Sequence, residues 1–309
     1  MKFLPEGVNP ALLKEFENIG EVETAVKAGE IFEGRVTVCD TARNLHIRLG
    51  KIHGVIPYKE GALGISDGSV RDIALISKVN KIVCFKVTGI GDFGGETVAL
   101  LSRRLVQQEC MDNYISNLSV GDVIDAKVTH LEKFGAFIDI GAGINSLIPI
   151  DMLSVSRISH ASQRLFEGEL IRTVLKNKFD GKLTFTLKEL LGTWEENAAL
   201  FAVGQTVPGI VRSIENYGIF FELTPNLAGL AEPRIGSAED ELNIGDTAAV
   251  YIKSIIPERM KVKLVLIDAH TLPQVPAPIK YFVDCEKTPH MDIWRYSPAE
   301  SKKVVETVF

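Results

Sequence analysis

Four aromatic side chains stand where they could do chemistry on a flat, polarisable ligand. In the segment Gly135-Ala136-Phe137-Ile138-Asp139-Ile140, strand alternation puts Ala136, Ile138 and Ile140 on the apolar side and leaves Phe137 on the charged side with Asp139. Phe134 stands at the mouth of that strand, and Gly135 is expected to leave room for an inserted group. A second segment repeats the arrangement: Ile219, Phe221 and Leu223 point inward, Phe220 accompanies Glu222 outward, and Tyr217 holds the mouth. A ring on the polar face of a small strand can stack on an unpaired nucleic-acid base, whatever the base. The competing reading is that these rings pack against a polar segment or a linker helix. The same offset in two segments weighs against it, because packing partners differ between segments while the ring does not.

Basic residues could add phosphate contacts if they share a face with the rings. Lys127 and Arg212 lie in the first-to-second strand regions, Lys182 follows the turn Phe179-Asp180-Gly181, and Lys261 and Lys263 occupy the matching strand of the second segment. The Asp-Gly turn is itself a hairpin signal.

The elements that must hold these residues form an internal repeat. Residues 120–150 align with 203–233, placing Gly121 over Gly204, Val128 over Val211, Gly135 over Gly218 and Leu147 over Leu230. A weaker copy at 28–58 keeps Gly29 and the turn Leu49-Gly50 but needs a one-residue gap. Each copy reads as three period-two strands, a polar stretch and two more strands. Five short strands in roughly 70 residues predict an OB-type Greek-key barrel, so the fold class is mainly β with three tandem barrels joined by short helices. The boundaries expected are a helical segment at 1–28, barrels at 29–104, 119–190 and 203–268, linker helices at 105–118 and 191–202, and a Pro-rich linker with a C-terminal helix at 269–309.

The connectors have their own signals. Val106, Cys110, Tyr114 and Leu118 form a helical stripe, and Thr193-Trp194-Glu195-Glu196 reads as a capping box opening a helix that carries Ala198 and Phe201. Asn9-Pro10 predicts a short helix bearing Leu12, Leu13 and Phe16. The stretch 271–280 holds three prolines, and Ser297-Pro298-Ala299-Glu300 predicts a helix over 298–307. Trp294 and Tyr296 are expected to dock this tail onto a barrel.

The first copy departs from the others. Arg43 and His46 replace its aromatics, Arg48 and Lys51 follow, and alternation turns His46 and Arg48 outward opposite Leu45, Ile47 and Leu49. That barrel could hold phosphates without stacking bases, or could dock a protein.

Composition sets outer limits. The 309 residues are 46% hydrophobic and 24% charged, in the range of folded globular proteins. No apolar run approaches the roughly 18 to 20 residues of a membrane span, and the N-terminus lacks a signal-peptide core, so a cytoplasmic location is expected. Cys39, Cys84, Cys110 and Cys285 form no CxxC pair, which leaves reduced thiols as the expectation and no metal site. A net charge of -6 argues against duplex DNA held by phosphate neutralisation alone, but not against single strands held by stacking.

With FGAFIDIGAG and YGIFFELTPNLAGLAE in view, the repeats closely resemble the RNA-binding domain named after ribosomal protein S-one, the multi-barrel protein of the bacterial small subunit. The resemblance is strong over 119–190, good over 203–268 and weak over 29–104. It implies an OB barrel with RNA across one face, ring positions at Phe134, Phe137, Tyr217 and Phe220, and basic positions at Lys182 and Lys261. Where many members carry a histidine in Leu-Val-His-Ile-Ser, this chain has Leu147-Ile148-Pro149-Ile150-Asp151 and Leu230-Ala231-Glu232-Pro233, and Glu232 would repel phosphate. The resemblance implies single-stranded RNA, mRNA in particular, as partner, with the small ribosomal subunit as a further one. A role in RNA decay or regulation and a protein-interaction scaffold are the alternatives. No P-loop, metal spacing or clustered carboxylates appear, so neither catalysis, a cofactor nor a small-molecule substrate is expected.

Overall fold

The structure is a computed structural model that describes residues 2–179, 181–232, 242–268 and 278–309. The chain divides into two compact units, Met1–Leu118 with Asp139–Asn145, and Ser119–Ile138 with Ser146–Phe309.

The first helix of the first unit falls within the expected helical segment 1–28, but later than the Asn9-Pro10 signal places it. α1 (Ile19–Ala28) begins at Asn18, whose side chain accepts from the Glu21 amide at 3.1 Å, and ends at Gly29, left-handed at φ +63°. Asn18 and Glu21 have capping-box spacing, a signal present in the sequence. Asn9 caps only the single 3-10 turn Pro10–Leu12, so no helix carries Leu12, Leu13 and Phe16. Phe16 instead pairs edge-on with Phe32, ring centroids 5.8 Å apart, in the first barrel's core.

That barrel consists of β1 (Ile31–Cys39), β2 (Leu45–Leu49), β3 (Ile52–Ile56), β4 (Ile82–Phe93) and β5 (Glu96–Ser102), closed in the order β1-β2-β3-β5-β4. β3 and β5 are parallel and the other pairs antiparallel, which is OB connectivity. The expected inward set Leu45, Ile47 and Leu49 is fully buried, and α2 (Ile73–Ile76) adds Leu75 to the same core. Each such side chain contributes about 1.5–3 kcal/mol of burial. α3 (Arg103–Asn113), capped by Ser102, follows, with Val106 and Cys110 of the expected stripe buried.

The second unit holds the other two barrels. One comprises β6 (Val123–Glu132), β7 (Gly135–Asp139), β8 (Asn145–Pro149), β9 (Leu170–Phe179) and β10 (Lys182–Thr186), closed with β8 parallel to β10 at Leu147 and Thr184. After it, α4 (Trp194–Ala198) carries the capping box the sequence predicts: Glu196 N donates to Thr193 Oγ1 and Thr193 N to Glu196 Oε2. The other barrel comprises β11 (Thr206–Glu215), β12 (Gly218–Thr224), β13 (Leu227–Ala231), β14 (Thr247–Ile256) and β15 (Lys261–Asp268), with β13 parallel to β15. β1 and β11 each shift register by one residue at aligned positions, Val36/Val38 and Val211/Ser213. Such bulges bend a strand enough to close a small barrel.

The tail overturns one expectation. No helix forms over 298–307; β16 (Ile293–Arg295) pairs antiparallel with β17 (Glu306–Val308). Ser297 does not cap a helix but accepts from the Val305 amide at 3.1 Å, and the β-branched run Val304-Val305-Glu306-Thr307-Val308 favours a strand. Trp294 and Tyr296 are buried in the third barrel's core cluster, and the Tyr296 hydroxyl donates to the Asn226 carbonyl at 2.7 Å. Asp180 and most of the Pro-rich stretch lie outside the described residues.

Candidate nucleic-acid interface

Gly135 and Gly218 open the ring-bearing strands for a backbone reason. At φ +156° and +146°, a Cβ would stand 2.2 Å from the Ile148 carbonyl oxygen and 2.3 Å from that of Ala231. The expectation that Gly135 makes room for a ligand is therefore replaced: glycine lets β7 press on β8, and β12 on β13. The rings on either side are brought together in the same way in both barrels. Phe134 and Phe137 meet edge to face at 5.9 Å and 90°, Tyr217 and Phe220 at 6.2 Å and 87°. Phe134 and Tyr217 are 54% and 56% exposed, while Phe137 and Phe220 are half-buried. An edge-to-face pair leaves ring surface free for a third ring.

A residue the sequence reading passed over joins the first pair. His130, on β6, lies nearly parallel to Phe137 at 6.5 Å and 21°. Its Nδ1 is 2.8 Å from Glu167 and its Nε2 3.0 Å from Glu132, and these hydrogen bonds raise its pKa. Simple alternation from buried Val128 would turn His130 inward, but it is exposed because the strand end runs beyond the core. Phe166 and Phe179, also exposed on this barrel, were likewise passed over.

The basic residues divide. Lys182 and Lys261 are exposed, each the first residue of its barrel's last strand. Lys127 is half-buried on β6 opposite Leu170. Lys263 approaches Glu232 at 3.9 Å, which sets a cation beside that carboxylate. Arg212 is not a surface contact. It is the extra residue of the β11 bulge, its side chain 4% exposed, and it donates through Nε and Nη2 to Glu222 at 2.7 and 3.2 Å. Glu222, expected outward, is 2% exposed and pairs also with Arg164. Asp139 is buried as well, accepting from the amides of Glu6, Gly141 and Gly143 at 2.8–3.0 Å. Alternation cannot foresee a bulge that re-aims a side chain, nor a segment that covers a strand end.

In the first barrel, Arg43 sits at φ +68° with Nε 3.4 Å from Asp72, and Arg48 is exposed, reaching the Gly50 carbonyl. His46 is more enclosed than alternation implies. It stacks on His53 at 5.1 Å and 27°, meets the edge of Phe93 at 5.3 Å, and bonds Asp40 at 3.1 Å. Burial and the neighbouring His46 lower the His53 pKa. The ring position of this barrel is thus filled by two imidazoles and a phenyl.

Sequence comparison bears on the second barrel directly. Residues 117–177 match the S1 RNA binding domain. Small ribosomal subunit protein bS1 of Chlamydia muridarum is 29% identical over 236 residues, covering 70% of this chain and 41% of the relative. The bS1 protein of Staphylococcus aureus strain COL is 32% identical over 178 residues, covering 53% and 45%. The chain thus spans less than half the length of these relatives. Among solved structures, a multidomain protein with nucleic acid binding domains from Streptococcus pneumoniae aligns over 77% of this chain and 73% of its own, at 14% identity and a TM-score of 0.24. The second barrel thus carries the segment that matches the S1 RNA binding domain, and the similarity to bS1 proteins extends over up to 70% of the chain.

Proposed function

We propose that this chain binds single-stranded RNA, with unpaired bases stacking on Phe134 and Phe137 of the second barrel and on Tyr217 and Phe220 of the third. The observation that carries this reading is the recurrence of one ring geometry, edge to face at 5.9 and 6.2 Å, on two barrels whose surroundings differ. Lys182 and Lys261, exposed at corresponding strand starts, supply phosphate contacts, and His130 extends the second platform. The bS1 relatives, named as small ribosomal subunit proteins, support a place beside the small ribosomal subunit; mRNA as ligand, a cytoplasmic location and no catalysis by the chain itself complete the proposal.

Fluorescence anisotropy with a short unstructured RNA tests the reading. Phe137→Ala and Phe220→Ala each cost about 1–3 kcal/mol of binding, the range for a lost base stack. The double variant Lys182→Ala/Lys261→Ala makes the logarithmic salt slope shallower by about 1.4, two single-strand phosphate contacts. Unchanged affinity in the Phe137→Ala/Phe220→Ala variant, with both barrels folded by circular dichroism, would sink the stacking proposal. Co-sedimentation with small ribosomal subunits checks the partner.

A further inference from the structure

The second unit contains a cavity of about 300 Å³ that none of the four ring residues lines. Two guanidinium groups border it, those of Arg164 and Arg212, both largely buried, and they share a single carboxylate, Glu222. Glu222 is the only acidic residue among the described residues that line the cavity, so one of the two guanidinium charges is left over, in addition to that of Lys280 on the solvent side. Every nitrogen of the Arg164 guanidinium is engaged, by Ser154 Oγ, the Gln163 carbonyl and Glu222. Arg212 is not so provided for: its Nη1 is buried without a hydrogen-bond partner. A buried cation lacking a counter-charge and a buried donor lacking an acceptor are both costly, the latter by about 1–3 kcal/mol. Burial, with Arg212 alongside, holds the Arg164 pKa below its ordinary value despite the attraction of Glu222.

Much of the rest of the lining is apolar, and Asn197 within it is already satisfied. Asn197 donates to the carbonyls of Leu191 and Thr193 and accepts from Thr224 Oγ1. Leu191, Ile210 and the half-buried ring of Phe282 form an apolar wall. Exposed Lys280 and half-exposed Leu200 stand on the solvent side, the Lys280 ammonium 5.7 Å from the centre of the Phe282 ring.

We infer that this cavity is a binding site for a nucleoside monophosphate, its phosphate drawn by the Arg164–Arg212 charge and bonded by Arg212 Nη1, and its base laid against Phe282 and the aliphatic wall. Paired arginines suit a phosphate because their planar donors match its oxygens, and the volume falls at the small end of the range for ligand sites. The site is separate from the RNA-stacking faces and does not depend on them. It would give an RNA-binding chain a response to a free nucleotide, seated where residues from the second barrel, the third barrel and the tail converge.

Isothermal titration of the full chain with AMP, GMP, CMP and UMP tests this. At least one of the four binds with one site per chain and raises the unfolding temperature, and the matching nucleoside binds at least tenfold more weakly. The Phe137→Ala/Phe220→Ala variant binds as the parent does, which separates this cavity from the ring platforms. Arg212→Met lowers affinity at least tenfold. Because that substitution could disturb the barrel, Leu200→Trp provides a second variant at a half-exposed position; it narrows the opening and also weakens binding at least tenfold. No saturable binding of any of the four nucleotides overturns the inference, as does binding that survives both Arg212→Met and Leu200→Trp or that disappears with the ring pairs.

Discussion

At His130 two carboxylates act on one exposed imidazole, and the sign of the effect can be worked out. Hydrogen bonds from the ring to Glu167 and Glu132 favour the imidazolium, so the folded pKa lies above the ordinary histidine value. The stabilisation this gives is complete below the unfolded pKa and is lost as pH rises through the raised folded one. In an NMR titration His130 is expected to titrate above an unstructured histidine, and Glu167→Gln to bring it down; an unmoved midpoint in that variant would remove Glu167 as the cause. A second residue, Glu6 of the first unit, works in a dry setting. It accepts from Arg103 Nε and Nη2 at 2.6 and 3.0 Å, from Lys78 at 3.2 Å and from the Cys84 amide at 3.1 Å, and both it and Arg103 are buried. Glu6→Gln leaves Arg103 buried without its counter-charge, and a loss of about 3–5 kcal/mol is expected in urea denaturation. Nothing in the sequence around Glu6 advertises this role, since its partners lie 72 to 97 positions away.

At the scale of elements, the ring platforms depend on how closely two strands approach. Gly135→Ala forces a Cβ against the Ile148 carbonyl and a left-handed φ onto an L-residue, so it should destabilise the second barrel by about 1–3 kcal/mol. It should also weaken RNA binding, because Phe134 and Phe137 lose their common frame; full stability in the variant would show that the strand can relax. The tail sheet is a structural part of the third barrel. Trp294 is buried in that barrel's core, so Trp294→Ala is expected to cost about 3–5 kcal/mol, measured by chemical denaturation. The strands and the α4 capping box could be read from the sequence because their signals are local: alternation, turn residues and a Thr-x-x-Glu spacing. The tail could not, because Ser297-Pro298-Ala299-Glu300 carries the local signature of a helix start while the pairing of β16 with β17 is set by residues at both ends of the segment.

For the whole molecule, the division into two units predicts the unfolding behaviour. The second and third barrels share the buried Arg164–Glu222–Arg212 cluster, and Asn226 of the third accepts from the Val155 amide and donates to the carbonyls of Lys188 and Gly192. Differential scanning calorimetry is therefore expected to resolve two transitions; three independent ones would show that this cluster does not couple the barrels. The amino-acid sequence by itself determined three repeats, five strands in each, the inward residues of most strands and the ring positions Phe134, Phe137, Tyr217 and Phe220, because period-two alternation and glycine placement act over a few residues. Only the tertiary structure decided which outward positions stay outward. Bulge geometry drew Arg212 inside, packing from outside the strand covered Glu222 and Asp139, and the stacking of His46 on His53 gave the first barrel a ring cluster of its own. Those outcomes rest on contacts between residues distant along the chain, where alternation carries no information.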